Sequence, residues 1–404
     1  MDMNEVVTDD DVLTEILHRI PCLKSAIQCQ SVCKRWRSLI SSNFFQNRFC
    51  QRNQSNYDQI TREQEFIVKC YNHHAVLMVP PPIDVFDFEF SLDFIGQEWF
   101  TAGSFNGLLL CAIGEYWHYQ YMICNPITKQ SVTLPPAPIS DETRMERVFL
   151  GFVCDDSYRS FKVVRMVTPF DKITSELRVC VFSSETGQWS HSMVTTPTPI
   201  KWPQIPSPAV HHGGLLHWAD IGWKYIVVYD IHNNKFLSVI HLPQDKYDPP
   251  QDGDGVFDGV VVQPMEGFGL CCGALCVAQV IIPGCILKIW QLNEQRKWSL
   301  KQKVRLEECI TAFGAFWLLN LWSSTLIALH PYDFSIVYFG IEDGGILCCN
   351  LRTKSLKYAG QCNCHDSDER PEHHLYDWKE TYSQCFPLWP PPVPQYNTSL
   401  AEFA

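Results

Sequence analysis

The sequence predicts a multidomain chain: a small all-α N-terminal unit of three helices, followed by an all-β, kelch-like propeller of roughly six blades. Three observations carry this reading. Within the first fifty residues, apolar side chains recur at the three-and-four spacing of an α-helix face. From about residue 66 the texture changes to short apolar runs broken by Gly, Pro, Asn and Asp. Five of those runs then repeat one shape, an apolar strand, a polar turn and a second strand, at a near-regular interval.

The first helix is read from Val12, Leu13, Ile16, Leu17 and Ile20, which share one face. Thr8 with Asp11 can cap its start, and Asp9, Asp10 and Asp11 set negative charge at the positive end of its dipole. Pro21 ends it. A short segment with Leu23, Ala26 and Ile27 follows, and Val32, Cys33, Trp36, Leu39 and Ile40 resume the helical period. Lys34, Arg35 and Arg37 fall off that stripe, so the cations of "SVCKRWRSLI" are expected on a solvated face. Three short helices bury little by themselves, and such a unit usually completes its core against a partner.

The stretch "DDDVLTEILHRIPCLKSAIQCQSVCKRWRSLISSNFF", residues 9 to 45, resembles an F-box through "EIL.R.P", a Lys-Ser pair and the closing "VCK.WR.LI". The resemblance implies a unit over residues 8–50 that packs on the Skp adaptor, which links it to a cullin scaffold and the ubiquitin-conjugating machinery. It places Leu13, Ile16, Leu17, Ile20, Pro21 and Leu23 at or near the adaptor surface. Val32, Cys33, Trp36 and Leu39 would hold the helices together or join that contact. The Leu-Pro pair that usually opens the motif is missing here, with Val7 and Thr8 in its vicinity, which weakens or removes one apolar contact.

Residues 51–65 are polar, lack an apolar period and read as a linker. The five strand-turn-strand repeats are "MICNPITKQSVTLPP", "VCVFSSETGQWSHSM", "IVVYDIHNNKFLSVIHLP", "LKIWQLNEQRKWSLKQKV" and "GILCCNLRTKSLKYAG". With Asn125, Ser183, Asp230, Gln291 and Asn350 as equivalent turn starts, they are separated by 58, 47, 61 and 59 residues, near the period of kelch-type blades. Trp189, Phe236, Trp298 and Leu356 follow the turns at matching offsets and are assigned to packing between blades. "NGLLLC", "GGLLHW" and "CGALCV" add a glycine-led strand ahead of three hairpins, as blades of about four strands require. Residues 66–386 leave room for roughly six blades, the sixth assembled from region 66 to 100 and the C-terminal end. The stretches "ICNPITKQSVTLPP" and "LGFVCDDSYRSFKVVRM" resemble the F-box-associated domain found behind plant F-boxes. Residues 387–404, "PLWPPPVPQYNTSLAEFA" after Phe386, form a proline-rich tail expected to be exposed and disordered.

The totals narrow the function classes. Against 32 basic side chains stand 44 acidic ones, a formal charge of -12 that repels phosphate backbones, so nucleic acid is not an expected partner. Nineteen cysteines in 404 residues fall below a disulfide scaffold's density, and the acidic "MDMNEVVTDDD" is unlike a secretory signal. Reduced, mostly buried thiols in cytoplasm or nucleus are the expectation, with no membrane partner.

No G-x-S-x-G elbow, P-loop or dinucleotide fingerprint is present. "DGDGVFDG" lacks ligands that a calcium loop needs. Cys362, Cys364, His365, His373 and His374 do not have a standard zinc spacing. No metal, cofactor or catalytic residue is therefore expected. His73, His74, His211, His212 and His217 with Trp218 either line a ligand pocket or are hydrogen-bonded strand residues, which leaves the substrate-binding residues open. What both resemblances imply is a non-catalytic substrate receptor of a Skp-cullin-F-box ubiquitin ligase. The rival classes are a propeller enzyme or small-molecule binder with an incidental helical cap, and an F-box-like scaffold outside a ligase.

Overall fold

The computed structural model describes residues 10–20, 23–42, 44–49, 64–70, 73–79, 92–96, 99–114, 120–138, 146–155, 159–169, 173–201, 209–219, 225–243, 265–281, 286–310, 325–340, 345–361, 382–384 and 392–396. The N-terminal part is helical: α1 (Asp10–His18), α2 (Leu23–Cys29) and α3 (Lys34–Ile40), with a further helical turn and a half at 44–49. Leu13 and Leu17 from α1, Ala26 from α2, Ile40 from α3, and Phe45 and Phe49 form one buried cluster. His18 is buried with them, its ring stacked on Phe45 at 4.3 Å between centroids, with Nε2 3.2 Å from the Phe45 carbonyl oxygen.

Five four-stranded antiparallel sheets follow in chain order. They comprise β3–β6 (Phe100–Phe105, Leu108–Ile113, Gln120–Asn125, Gln130–Thr133) and β7–β10 (Glu146–Cys154, Phe161–Pro169, Ile173–Ser183, Gln188–Lys201). Then come β11–β14 (Val210–His212, Leu215–Ala219, Tyr225–Asp230, Lys235–His241), β15–β18 (Met265–Cys271, Ala274–Ile281, Ile286–Leu292, Trp298–Arg305) and β19–β22 (Thr325–Leu329, Ile336–Gly340, Gly345–Asn350, Ser355–Gln361). The first strand of each sheet neighbours the first strand of the next, β3 beside β7, β7 beside β11, β11 beside β15 and β15 beside β19, as in a propeller. The ring thus has five complete blades where roughly six were expected. Among the described residues the remaining segments supply three strands, β1 (Gln64–Cys70), β2 (His73–Val79) and β23 (Tyr382–Gln384), in the order β2-β1-β23. This smaller sheet ties both ends of the β region together, with Phe66 opposite Ser383.

Local chemistry explains the hairpins. The Oδ1 atoms of Asn125, Asp230 and Asn350 accept the backbone N–H groups two and three residues on, at 2.8–3.1 Å. An Asx side chain thereby builds the outer turn of the first, third and fifth blades. In the fourth blade the equivalent acceptor is Asn293, whose Oδ1 takes the Lys297 N–H at 2.8 Å. Gln291, expected to start that turn, instead pairs with Ser299 inside the β17–β18 ladder. Gly107, Gly214 and Gly273 sit in the turns between first and second strands with φ of 87°, 76° and 74°, a region that side-chain-bearing residues seldom occupy.

Indoles pin the seams between blades. Trp189 Nε1 donates to the Pro135 carbonyl at 3.0 Å, Trp218 Nε1 to Leu150 at 2.9 Å, and Trp298 Nε1 to His241 at 2.7 Å, each acceptor lying in the preceding blade or the chain leaving it. Burial of an aromatic ring with its one polar atom satisfied combines a large apolar contribution with a directional one. At the seam between the second and third blades glycine leaves the needed space: a Cβ on Gly151 would sit 2.5 Å from Leu216 Cδ1 and 3.0 Å from Trp218 Cζ2.

The proline-rich tail departs from expectation. Within it, Val393 is buried in the core cluster shared by the first three blades, and Tyr396 donates its hydroxyl to the Thr133 carbonyl at 3.1 Å. The Tyr396 ring meets Phe182 edge-on at 5.5 Å. Residues 392–396 are therefore a docked strap rather than a free end, because an apolar pair spaced three apart found a seam between two blades.

Candidate functional site

The helical unit divides its apolar residues into two sets. Leu13 and Leu17 point into its own core, Leu17 retaining 1% of its surface. Ile20, Trp36 and Leu39 are half-buried against that core. Ile16 keeps 54% of its surface, Val32 62% and Phe44 65%, with Val12 one turn before Ile16 also exposed. Of the residues expected at an adaptor surface, Leu13 and Leu17 thus hold the helices together, whereas Ile16 and Val32 face outward. Cys33 is exposed and caps α3, its Sγ accepting the Trp36 N–H at 3.4 Å. Pro21 and the Leu23 side chain lie outside the described residues.

Phe44 was not singled out by the sequence reading, although its position after the closing "VCK.WR.LI" and its lack of a helical partner in the α3 period were visible. Its ring meets His18 edge-on at 6.2 Å, which orients it at the surface. The cations expected on a solvated face have structural work to do. Arg35 reaches Asp10 through Nε at 2.6 Å and Nη2 at 2.5 Å, joining α3 to the first turn of α1. Arg37 Nε donates to the Gln30 carbonyl at 3.2 Å. Arg48 pairs with Glu15 at 2.9 Å. These half-exposed pairs contribute little energy but fix where the helices stand.

In the propeller, the histidine group separates. Trp218 is fully buried in a seam, and His217 is buried with Nδ1 3.2 Å from the Val210 carbonyl oxygen. Burial foremost, helped by His212, His211 and Arg296, lowers the His217 pKa to about 4 despite that backbone contact, so the ring is neutral at physiological pH. Both are packing residues. His211 is half-buried and meets Phe105 edge-on at 5.0 Å, and His212 is half-buried beside it. His73 and His74 begin β2, pairing with Cys70 and Lys69; their side chains lie outside the described residues.

All the described cysteines are free thiols, and most are buried. Cys111 and Cys124 face one another on neighbouring strands with sulfurs 3.7 Å apart. Burial pushes the Cys154 thiol well up, and pushes Cys272 up to about 11, so neither is a ready nucleophile. Among the described residues no group of three or more His, Cys, Asp or Glu could hold a metal ion. The Cys362–His374 stretch and residues 252–259 lie outside the described residues. Among those described, no helix is long and apolar enough to cross a membrane.

Comparison with known families agrees with this architecture. The F-box domain family matches residues 9–47, and the family described as "F-box protein At3g26010-like, beta-propeller" matches residues 90–386. Three Arabidopsis thaliana proteins illustrate the relationship. The F-box/kelch-repeat protein At4g22430 is 27% identical over 94% of this chain and 88% of its own. F-box protein At5g49610 is 28% identical over 80% and 86%, and F-box protein At3g26010 is 26% identical over 89% and 80%. Helical unit, five-bladed ring and family matches converge on one assignment: the chain belongs to the F-box proteins that carry an At3g26010-like β-propeller.

Proposed function

We propose that this chain is the substrate-recognition subunit of a Skp-cullin-F-box ubiquitin ligase, working in the cytoplasm or nucleus. The helical unit docks the Skp adaptor, and the propeller presents a target protein for ubiquitination. One observation carries the first half: a unit of about forty residues closes its core on Leu13, Leu17, Ile40 and Phe45, yet leaves Ile16, Val32 and Phe44 more than half exposed. Large apolar side chains left outside so small a core mark a surface that a partner covers. On this reading the chain performs no bond chemistry. It holds a target lysine near a charged thioester, so that their encounter becomes effectively intramolecular.

Co-purification with the Skp adaptor and cullin tests this. Wild type captures both, Pro21→Ala less of both, and Ile16→Asp neither, because burying an isoleucine contributes about 1.5–3 kcal/mol and an unpaired carboxylate in its place costs more. Failure of wild type to capture the adaptor refutes the proposal. Capture of adaptor without cullin replaces ligase with scaffold.

A further inference from the structure

The strap at residues 392–396 shows which of its side chains the ring reads. Val393 and Pro394 are buried, Tyr396 is half-buried, and Pro392 and Gln395 are exposed. Val393 and Tyr396 stand three residues apart, the repeat of an extended polyproline-type chain, which turns both toward one side. Val393 joins the apolar core, the Tyr396 ring meets Phe182 edge-on at 5.5 Å, and its hydroxyl donates to the Thr133 carbonyl at 3.1 Å. Gln395 instead turns back on the strap, its Nε2 donating to the Val393 carbonyl at 3.3 Å.

The walls of the seam are built by the two blades themselves. Trp189 of β10 is pinned to the chain leaving the first blade by its indole N–H, which donates to the Pro135 carbonyl at 3.0 Å. Its ring packs against Tyr121 of the first blade at 5.9 Å and Phe182 of the second at 5.5 Å. Val132 and Ala137 pack on the same core. A groove walled by aromatic rings, with a carbonyl placed to accept from a hydroxyl, is the kind of surface that receives extended proline-containing segments. The strap reaches it from β23 through residues 385–392. A segment tethered so closely stands at about millimolar effective concentration before its groove, so the seam is filled without a high intrinsic affinity.

From this arrangement we infer that the seam between the first and second blades is a recognition groove for target proteins that carry an exposed, extended Val-Pro-x-Tyr segment, and that residues 392–396 occupy it as an internal competitor. The three side chains held by the ring set the order of the segment: an aliphatic residue, a proline, a free position and a tyrosine. The inference rests on the reading of the propeller as a target receptor. Peptide binding by the isolated chain needs neither adaptor nor cullin, so its outcome is separate from that of adaptor capture.

Fluorescence anisotropy of a labelled, capped Ala-Val-Pro-Ala-Tyr-Ala peptide against the full chain tests this. Val393→Asp combined with Tyr396→Ala displaces the strap and lowers the peptide's Kd about tenfold or more relative to wild type, because the internal competitor is gone. Tyr396→Ala alone acts in the same direction to a smaller degree, and both variants melt close to wild type. In the doubly substituted chain, phenylalanine in place of the peptide's tyrosine raises Kd about two- to tenfold by removing the bond to Thr133, alanine there raises it further, and Phe182→Leu weakens binding of the tyrosine peptide. Equal Kd for wild type and the doubly substituted chain overturns the inference, as does indifference to the peptide's tyrosine or to Phe182→Leu. A doubly substituted chain that melts far below wild type and binds no peptide makes the strap a structural brace and also overturns it. So does a wild-type dimer that the two substitutions turn into a monomer, because the occupant is then the tail of a second copy.

Discussion

The helical unit and the second and third blades handle apolar residues in opposite ways. In the blades, Phe149, Val163, Phe182, Leu216, Trp218 and Tyr229 all close on one another with almost no surface left. The helical unit leaves Val12, Ile16, Val32 and Phe44 outside a core of six buried side chains. Each blade has a neighbour on both sides to cover it, while a unit of forty residues has too little volume behind its surface. Exposure in the first region therefore marks apolar surface that its own small core does not cover, and burial in the second marks a structure that covers itself.

The largest way to break the comparison is Trp218→Ala. It empties a seam and strands the Leu150 carbonyl, at a cost of about 3–5 kcal/mol, seen by calorimetry as a lowered propeller transition with adaptor capture intact. Leu17→Ala does the reverse. It removes about 2–5 kcal/mol from the helical unit and abolishes adaptor capture through unfolding, whereas Ile16→Ala, one residue away, leaves the melt within about 0.5 kcal/mol and weakens capture alone.

Acid separates the regions further. The His217 pKa falls on folding from 6.5 to about 4, so the unfolded chain takes up this proton first. The stabilisation is complete above about pH 6.5 and is lost as pH falls from there towards 4, at most roughly 3 kcal/mol. His217→Gln flattens that slope in a pH series of urea melts. Gly151→Ala costs about 1–3 kcal/mol by crowding Leu216 and Trp218, whereas Gly103→Ala, whose Cβ meets nothing nearer than 3.6 Å, stays close to wild type. The smallest effect is Asp10→Ala, which frees Arg35 and costs less than about 1 kcal/mol in chemical denaturation.

Much of this was legible in the sequence where the signal is local. Helix periodicity gave α1 and α3, and turn chemistry gave the hairpins at Asn125, Asp230 and Asn350, since an Asx side chain acts within three residues of itself. The fourth hairpin was misplaced by two residues because Gln291 and Asn293 look alike as polar breaks, and only Asn293 is short enough to cap its own turn. The sheet expected from region 66 to 100 and the C-terminal end is present, but with three strands among the described residues rather than the four of a complete blade, and its strand number was not legible because β1 pairs with β23 about 300 residues away, a contact that no window reports. The docked tail and the Arg35–Asp10 pair escaped for the same reason. Within the candidate site, periodicity identified the apolar set but could not separate Leu17 from Ile16, because both lie on one broad stripe and tertiary packing decides which half is covered.

The sheet that joins β1 and β2 to β23 also sets an order of events during synthesis. The helical unit leaves the ribosome first, and the β1–β2 hairpin must then wait for about 300 further residues, roughly 15–60 s at ordinary translation rates, before its last strand exists. During that interval the helical unit is already complete while the sheet that joins the two ends of the β region is still open.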